Sequence, residues 1–256
     1  SGTPDWSILG RADIAAGGSI NLPNFAFDNP RDSGTSTNFR TTTGSITLGN
    51  GGINNGLDLT AVTTLDIVLE SAGGVTLNNF DIKVNDRSDV SVTAVGDINF
   101  SNVKINEGAL NNSTGVVSIN STGGAVDLGN ATITVEPLSE LNALSVQSSG
   151  LLNLGSATMT VDGTGGGFSK GVRFISSAGD IDLGSSSLTY NDRLTNSGFK
   201  LSTISAAGDI RSSGSVDWSV LGRTEFTAAG SINLPNFSFD NPLDSGTASL
   251  FQPTGG

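Results

Sequence analysis

Two acidic residues, Asp180 and Asp182, stand two positions apart in Gly179-Asp-Ile-Asp-Leu183. On an extended strand, side chains two apart leave the same face, roughly 7 Å from one another. That spacing suits two kinds of chemistry. The pair is a candidate site for Ca²⁺, the one metal cofactor these residues point to. It also matches the paired acids with which polysaccharide lyases of β-helical fold act on acidic sugars. A plainer reading is a solvated outer strand whose charges discourage sideways association. Asp97 with Asn99, and Asp127, recur in matching phrases elsewhere in the chain. A catalytic cleft would gather its acids in one place, so this dispersal favours the plainer reading, and no enzyme is expected. Tandem GGxGxD calcium repeats are absent, and Asp162-Gly-Thr-Gly-Gly-Gly167 resembles them only loosely.

A second group of residues could make contacts. Trp6 and Trp218 recur in the same phrase, as do Asp28-Asn-Pro30 and Asp240-Asn-Pro242. An exposed Trp can stack on a sugar ring, whereas a Trp filling a corner of the fold is a packing element. Asp-Asn-Pro followed by Asp-Ser-Gly is turn chemistry, and it is also a candidate contact between structural units. Asn21, Asn99 and Asn233 each follow an inward Ile and are expected to stack as an amide ladder.

Composition removes several classes of function. The chain has 256 residues, no Cys and no His. Without them there is no disulfide framework, thiolate metal site, thiol nucleophile or Ser-His-Asp triad. A formal charge of −12 repels phosphate backbones, so no nucleic-acid partner is expected. No stretch is apolar enough to span a membrane as a helix. Hydrophobic residues make up 36% of the chain, enough to bury a core and argue against disorder.

Repetition sets the architecture. Asp5 to Thr35 returns as Asp217 to Thr247, with 23 of 31 positions identical and an offset of 217 − 5 = 212. Residues 1–212 therefore read as one long unit and 213–256 as the start of the next. Ser1-Gly2-Thr3-Pro4 carries no signal-peptide pattern, and the chain is expected to be a piece of a longer tandem array. Inside the unit a shorter phrase recurs. Gly44-Ser-Ile-Thr-Leu48, Gly96-Asp-Ile-Asn-Phe100, Gly124-Ala-Val-Asp-Leu128 and Gly179-Asp-Ile-Asp-Leu183 are four of its versions. Alternating segments flank each one, and the step is roughly 26 residues, so that eight steps make 212.

Alternation of apolar and polar residues marks half-buried strands. From Leu183 to Leu188, as from Leu128 to Ile133, the step is odd, so the alternation breaks once at a fixed place. Gly129-Asn130, Gly155-Ser156 and Gly184-Ser185 occupy that break, as a corner requires. Three short strands, two tight corners and one variable loop make a rung that can bury its apolar side only by stacking on others. The expected fold is all-β: a right-handed parallel β-helix, or β-solenoid, of about ten coils. Variable loops are expected at Asn29 to Thr42, Glu107 to Thr114 and Asp162 to Lys170. Arg11, Lys83, Lys104, Lys170, Arg173, Lys200 and Arg223 are too scattered for a basic patch and are expected to pair with outward acids on neighbouring coils.

The phrases AVGDINFSNVKI (Ala94 to Ile105) and SAGDIDLGSSSLTY (Ser177 to Tyr190) resemble coils of filamentous haemagglutinin-type proteins, the β-helical surface proteins of two-partner secretion. The resemblance covers nearly the whole chain. It implies a secreted or cell-surface location and a shaft segment of an adhesin or biofilm fibre. The implied partners are adjacent units stacked end to end, together with cell-surface glycans or other fibres. The alternatives are a polysaccharide lyase or depolymerase on a β-helix, and an ice-binding rod with rows such as Thr41 to Thr43, Thr132 to Thr134 and Thr158 to Thr160.

Overall fold

The computed structural model describes residues 5–7, 12–29, 37–55, 66–85, 89–108, 115–136, 143–163, 171–192, 201–220, 222–241 and 249–255. Every element in these segments is a strand, and every strand pairing is parallel.

The chain begins with β1 (Asp5–Ser7). The next rung is β2 (Ala12–Ala16), β3 (Ile20–Leu22) and β4 (Ala26–Asn29). Three rungs follow in which the second and third strands run together: β5 (Thr37–Thr41) with β6 (Ile46–Asn55), β7 (Ile67–Ser71) with β8 (Val75–Asn85), and β9 (Val90–Ala94) with β10 (Ile98–Gly108). After these the rungs are again three-stranded. They are β11 (Val117–Ser121), β12 (Val126–Asp127) and β13 (Thr132–Val135), then β14 (Leu144–Ser148), β15 (Leu152–Asn153) and β16 (Thr158–Gly163). Next come β17 (Val172–Ser176), β18 (Ile181–Asp182) and β19 (Ser187–Asp192), then β20 (Leu201–Ala206), β21 (Ile210–Arg211) and β22 (Val216–Val220). The last strands are β23 (Arg223–Ala228), β24 (Ile232–Asn233), β25 (Phe237–Asp240) and β26 (Leu250–Pro253).

Three faces result. The first strand of each rung joins a ten-stranded sheet in the order β2-β5-β7-β9-β11-β14-β17-β20-β23-β26. The other two faces form one 16-stranded sheet, because β10 passes through a corner and pairs with β12 along its first half and β13 along its second. The molecule is thus a parallel β-solenoid. Ile14 and Phe226 lie at matching positions on β2 and β23, eight steps apart in the ten-stranded sheet. Their separation of 226 − 14 = 212 residues gives about 26 per rung.

Burial explains why the strands lie where they do. Val90, Val92 and Ala94 point inward and are buried, while Ser91 and Thr93 face outward. Columns of Ile, Leu, Val and Phe from all three faces form one continuous core. Burying each such side chain contributes roughly 1.5–3 kcal/mol. Sequence reasoning places the next inward residue after Leu183 at Leu188. The structure inserts Ser186 between them, as it inserts Ala131 after Leu128 and Ala157 after Leu154, all buried. The alternation therefore breaks over three residues, within the tight corner. One expected loop is shorter than its sequence bounds, because Thr37–Thr41 within 29–42 forms β5 and its alternating Thr37, Phe39 and Thr41 are buried. Glu107 and Asp162 likewise lie on strands, while 109–114 and 164–170 fall outside the described residues.

Candidate functional site

The corner between the first and second faces places Asp180. Glycines line that corner, and Gly73 N–H donates to the Gly44 carbonyl, Gly150 N–H to Gly124 and Gly208 N–H to Gly179, all within 2.8–2.9 Å. Buried hydroxyls seal it from inside: Ser71, Ser121 and Ser176 donate to the carbonyls of Gly44, Gly96 and Gly150. Just outside, one side chain per rung reaches up to the next. Asp97 Oδ1 accepts the Ala125 N–H at 2.8 Å, Asp180 Oδ1 the Asp209 N–H at 2.9 Å, and Asp209 Oδ1 the Ser231 N–H at 2.7 Å. Asp180 is therefore one member of a column that satisfies backbone donors.

Asp182 belongs to a second column, on the outer side of the second face. Register aligns Asn99, Asp127, Asn153, Asp182, Arg211 and Asn233. Three of them cap the following corner: Asp127 Oδ1 accepts the Gly129 N–H at 2.9 Å, Asn153 Oδ1 that of Gly155 at 3.0 Å, and Asp182 Oδ1 that of Gly184 at 2.8 Å. Asn153 separates Asp127 from Asp182 and donates to Asp127 at 3.1 Å. Arg211 stands above Asp182, with its Nε 3.5 Å from Asp182 and a terminal nitrogen 2.6 Å from Asp180. The Asp209 N–H first, and the Arg211 guanidinium second, hold the Asp180 carboxyl below the usual carboxylate range, and the same contact with Asp180 raises Arg211. The two acids weighed for chemistry are thus engaged by backbone N–H groups and one Arg. Among the described residues no group of three or more acidic residues is placed to hold a metal ion.

The amide ladder lies elsewhere than expected. Asn21, Asn99 and Asn233 face outward, but register sets Asn21 beside Thr47, Asn99 between Thr76 and Asp127, and Asn233 beside Arg211. The actual ladder occupies the corner between the second and third faces. Asn50 Nδ2 donates to Asn24 Oδ1 at 3.1 Å, Asn79 to Asn50 at 3.0 Å and Asn102 to Asn79 at 2.8 Å, and Asn130 donates to Asn102. Backbone contacts fix the amides at both ends: Asn50 also donates to the Pro23 carbonyl, and the Asn102 N–H donates to Asn130 Oδ1. Asn50, Asn79 and Asn102 have φ of 44, 48 and 50°. Asn tolerates this left-handed region better than most residues. Only alignment of the rungs exposes this column, which reads LPN, LGN, LNN, FSN, LGN at residues 24, 50, 79, 102 and 130.

The remaining candidates separate by position. Trp218 is 0% exposed and donates its indole N–H to Ser186 Oγ at 3.2 Å, in the core on β22 and not at a corner. Trp6, its repeat, is 42% exposed on β1. Asp28 Oδ1 accepts Asn54 Nδ2 at 2.9 Å, and Asp240 is exposed on β25. The prolines of both Asp-Asn-Pro phrases and the Asp-Ser-Gly that follows lie outside the described residues. Of the scattered cations, Arg223 pairs with Glu225 on its own strand. Arg40, a residue sequence reasoning passed over, meets Glu70 at 3.2 Å on the next rung. Such exposed pairs contribute under about 1 kcal/mol. Arg11, Lys170 and Lys200 lie outside the described residues. Thr132 and Thr134 align with Thr158 and Thr160, then with Ser187 and Thr189. Thr41 is no part of an outer row, because it is buried and donates to the Gly44 carbonyl.

Comparison with protein-family models, with curated proteins and with solved structures finds no match. Among the described residues no helix is long and apolar enough to cross a membrane.

Proposed function

We propose that the chain is a length of structural shaft: part of an extracellular fibre built from tandem 212-residue units, working in surface attachment or a biofilm matrix without catalysis. One observation carries the reading. The sequence begins again after eight rungs, and the repeated segment re-enters the same stack at the same phase. A stack that restarts in phase can be prolonged by further units with every strand edge paired. The polar side chains described above support it, because they bond from rung to rung and thereby hold a rod along its axis. The likeness of its coils to filamentous haemagglutinin-type proteins adds the surface location and the adhesive role.

Electron microscopy of the native assembly tests the proposal. The expected result is unbranched filaments with an axial repeat near 38 Å, about eight rungs at ~4.8 Å. Compact particles without that repeat would sink it.

A further inference from the structure

The two ends of the solenoid are not equally complete. The first face has ten strands, β2 to β26. The third also has ten: β1, β4, the second halves of β6, β8 and β10, then β13, β16, β19, β22 and β25. The second has nine: β3, the first halves of β6, β8 and β10, then β12, β15, β18, β21 and β24. Both ends expose apolar side chains whose repeats are covered inside. Phe251 is 45% exposed, whereas Phe39, its counterpart 212 residues earlier, is 0% exposed. Phe251 stacks on Phe226 with centroids 4.6 Å apart, leaving its other side open.

We propose that the C-terminal end docks the N-terminal end of a second copy of this chain, leaving one strand position empty on the second face. The warrant is continuity with the rung-to-rung packing already present. In such a joint, β1 of the second copy lies over β25, which brings Trp6 over Phe239, and β2 lies over β26, which brings Ile14 over Phe251. The strand shortfall then sets β3 two spacings above β24, about 9.6 Å in place of ~4.8 Å. Position 256 matches Gly44, so the strand that fills the gap has the phase of Ser45-Ile-Thr-Leu-Gly49. Pro253 weakens the joint further. The Thr254 N–H points back to the Ala228 carbonyl at 2.7 Å, so position 253 faces the incoming copy, and Pro has no N–H to donate. Thr41 occupies the matching place within the unit.

Sedimentation velocity over a concentration series tests the joint with the whole chain. Appending Ser-Ile-Thr-Leu-Gly after Gly256 should tighten association at least ten-fold, and Pro253→Thr should tighten it further. Rods should lengthen in steps of about ten rungs, ~48 Å. An appended Ser-Asp-Thr-Asp-Gly should not tighten association, because its inward positions are charged. Trp6→Asp or Phe251→Asp, both at exposed positions, should abolish it. An extended chain that keeps its β-sheet circular dichroism yet stays monomeric overturns the joint, as does association indifferent to Trp6→Asp. The inference shares with the shaft proposal only the continuity of the stack. Native filaments with a 38 Å repeat from chains that never associate would leave the shaft intact and remove the joint.

Discussion

The same corner, between the second and third faces, is built in two ways. In β6, β8 and β10 the strand continues through it, and one Asn per rung takes the left-handed conformation while its amide bonds to the rung below. In the rungs of β12, β15 and β18 the strand stops. Gly129, Gly155 and Gly184 take the left-handed conformation with φ of 54, 59 and 61°, and an Asp or Asn two residues earlier caps the glycine N–H. Ala131, Ala157 and Ser186 then close a tight turn onto the carbonyls of Leu128, Leu154 and Leu183. The first design ties rungs together through side chains. The second lets backbones approach so closely that a Cβ on Gly155 would run into the Gly129 carbonyl. One geometric demand thus has two chemical solutions, and they should fail differently.

Gly155→Val should show the largest effect. It puts a branched side chain at positive φ against backbone, and a loss of about 3 kcal/mol or more is expected in urea unfolding. At the other corner, Asn79→Ala should lose about 2 kcal/mol, from the strained conformation and two ladder bonds. Asn79→Gly should lose about half as much, because Gly relieves the strain but not the missing bonds. A Gly variant no better than the Ala one would mean that the ladder alone sets the Asn corner.

Smaller effects test the caps. Asn153→Asp would place three carboxylates in a column beside Asp127 and Asp182. It should destabilise by about 1 kcal/mol at low salt and recover as salt is added. Asp180 gives the capped half an acid sensitivity. Its folded carboxyl binds protons less readily than in the unfolded chain, so its contribution is complete above the ordinary carboxylate range. That contribution fades as pH falls through the range toward the lower folded value. Thermal melts from pH 6 to pH 2 should show a shallower acid decline for Asp180→Asn. An unchanged slope would show that the Asp209 and Arg211 contacts do not bear on stability. The smallest change expected is from Ser156→Asn, which extends the ladder by one amide and should stabilise by about 0.5 kcal/mol.

Much of this was legible in the chain. Gly-x-Ile-x-Leu phrases and the single break in alternation were enough for strands, corners and stacking, because period and parity are local properties. Asn50, Asn79 and Asn102 were harder to read, since within one rung an Asn beside Gly or Ser looks like ordinary turn chemistry. Their shared column emerges only when rungs are aligned, and loops of unequal length between the third and first faces disguise that alignment. Trp6 and Trp218 show a further limit, because identical surroundings in sequence cannot say which copy another rung covers. Arg211 left a signal: it interrupts the phrase Gly208-Asp-Ile-Arg where other versions carry Asn, Asp or Thr, one rung above two acids.

The asparagine column also gives the rod an arrow. Each amide hands its hydrogen toward the N-terminal end, so every bond in the string points the same way. Reversing a rod would set donor against donor at any junction. Lengthening is therefore vectorial, head meeting tail, and tethering one tip decides which chemistry the far tip presents.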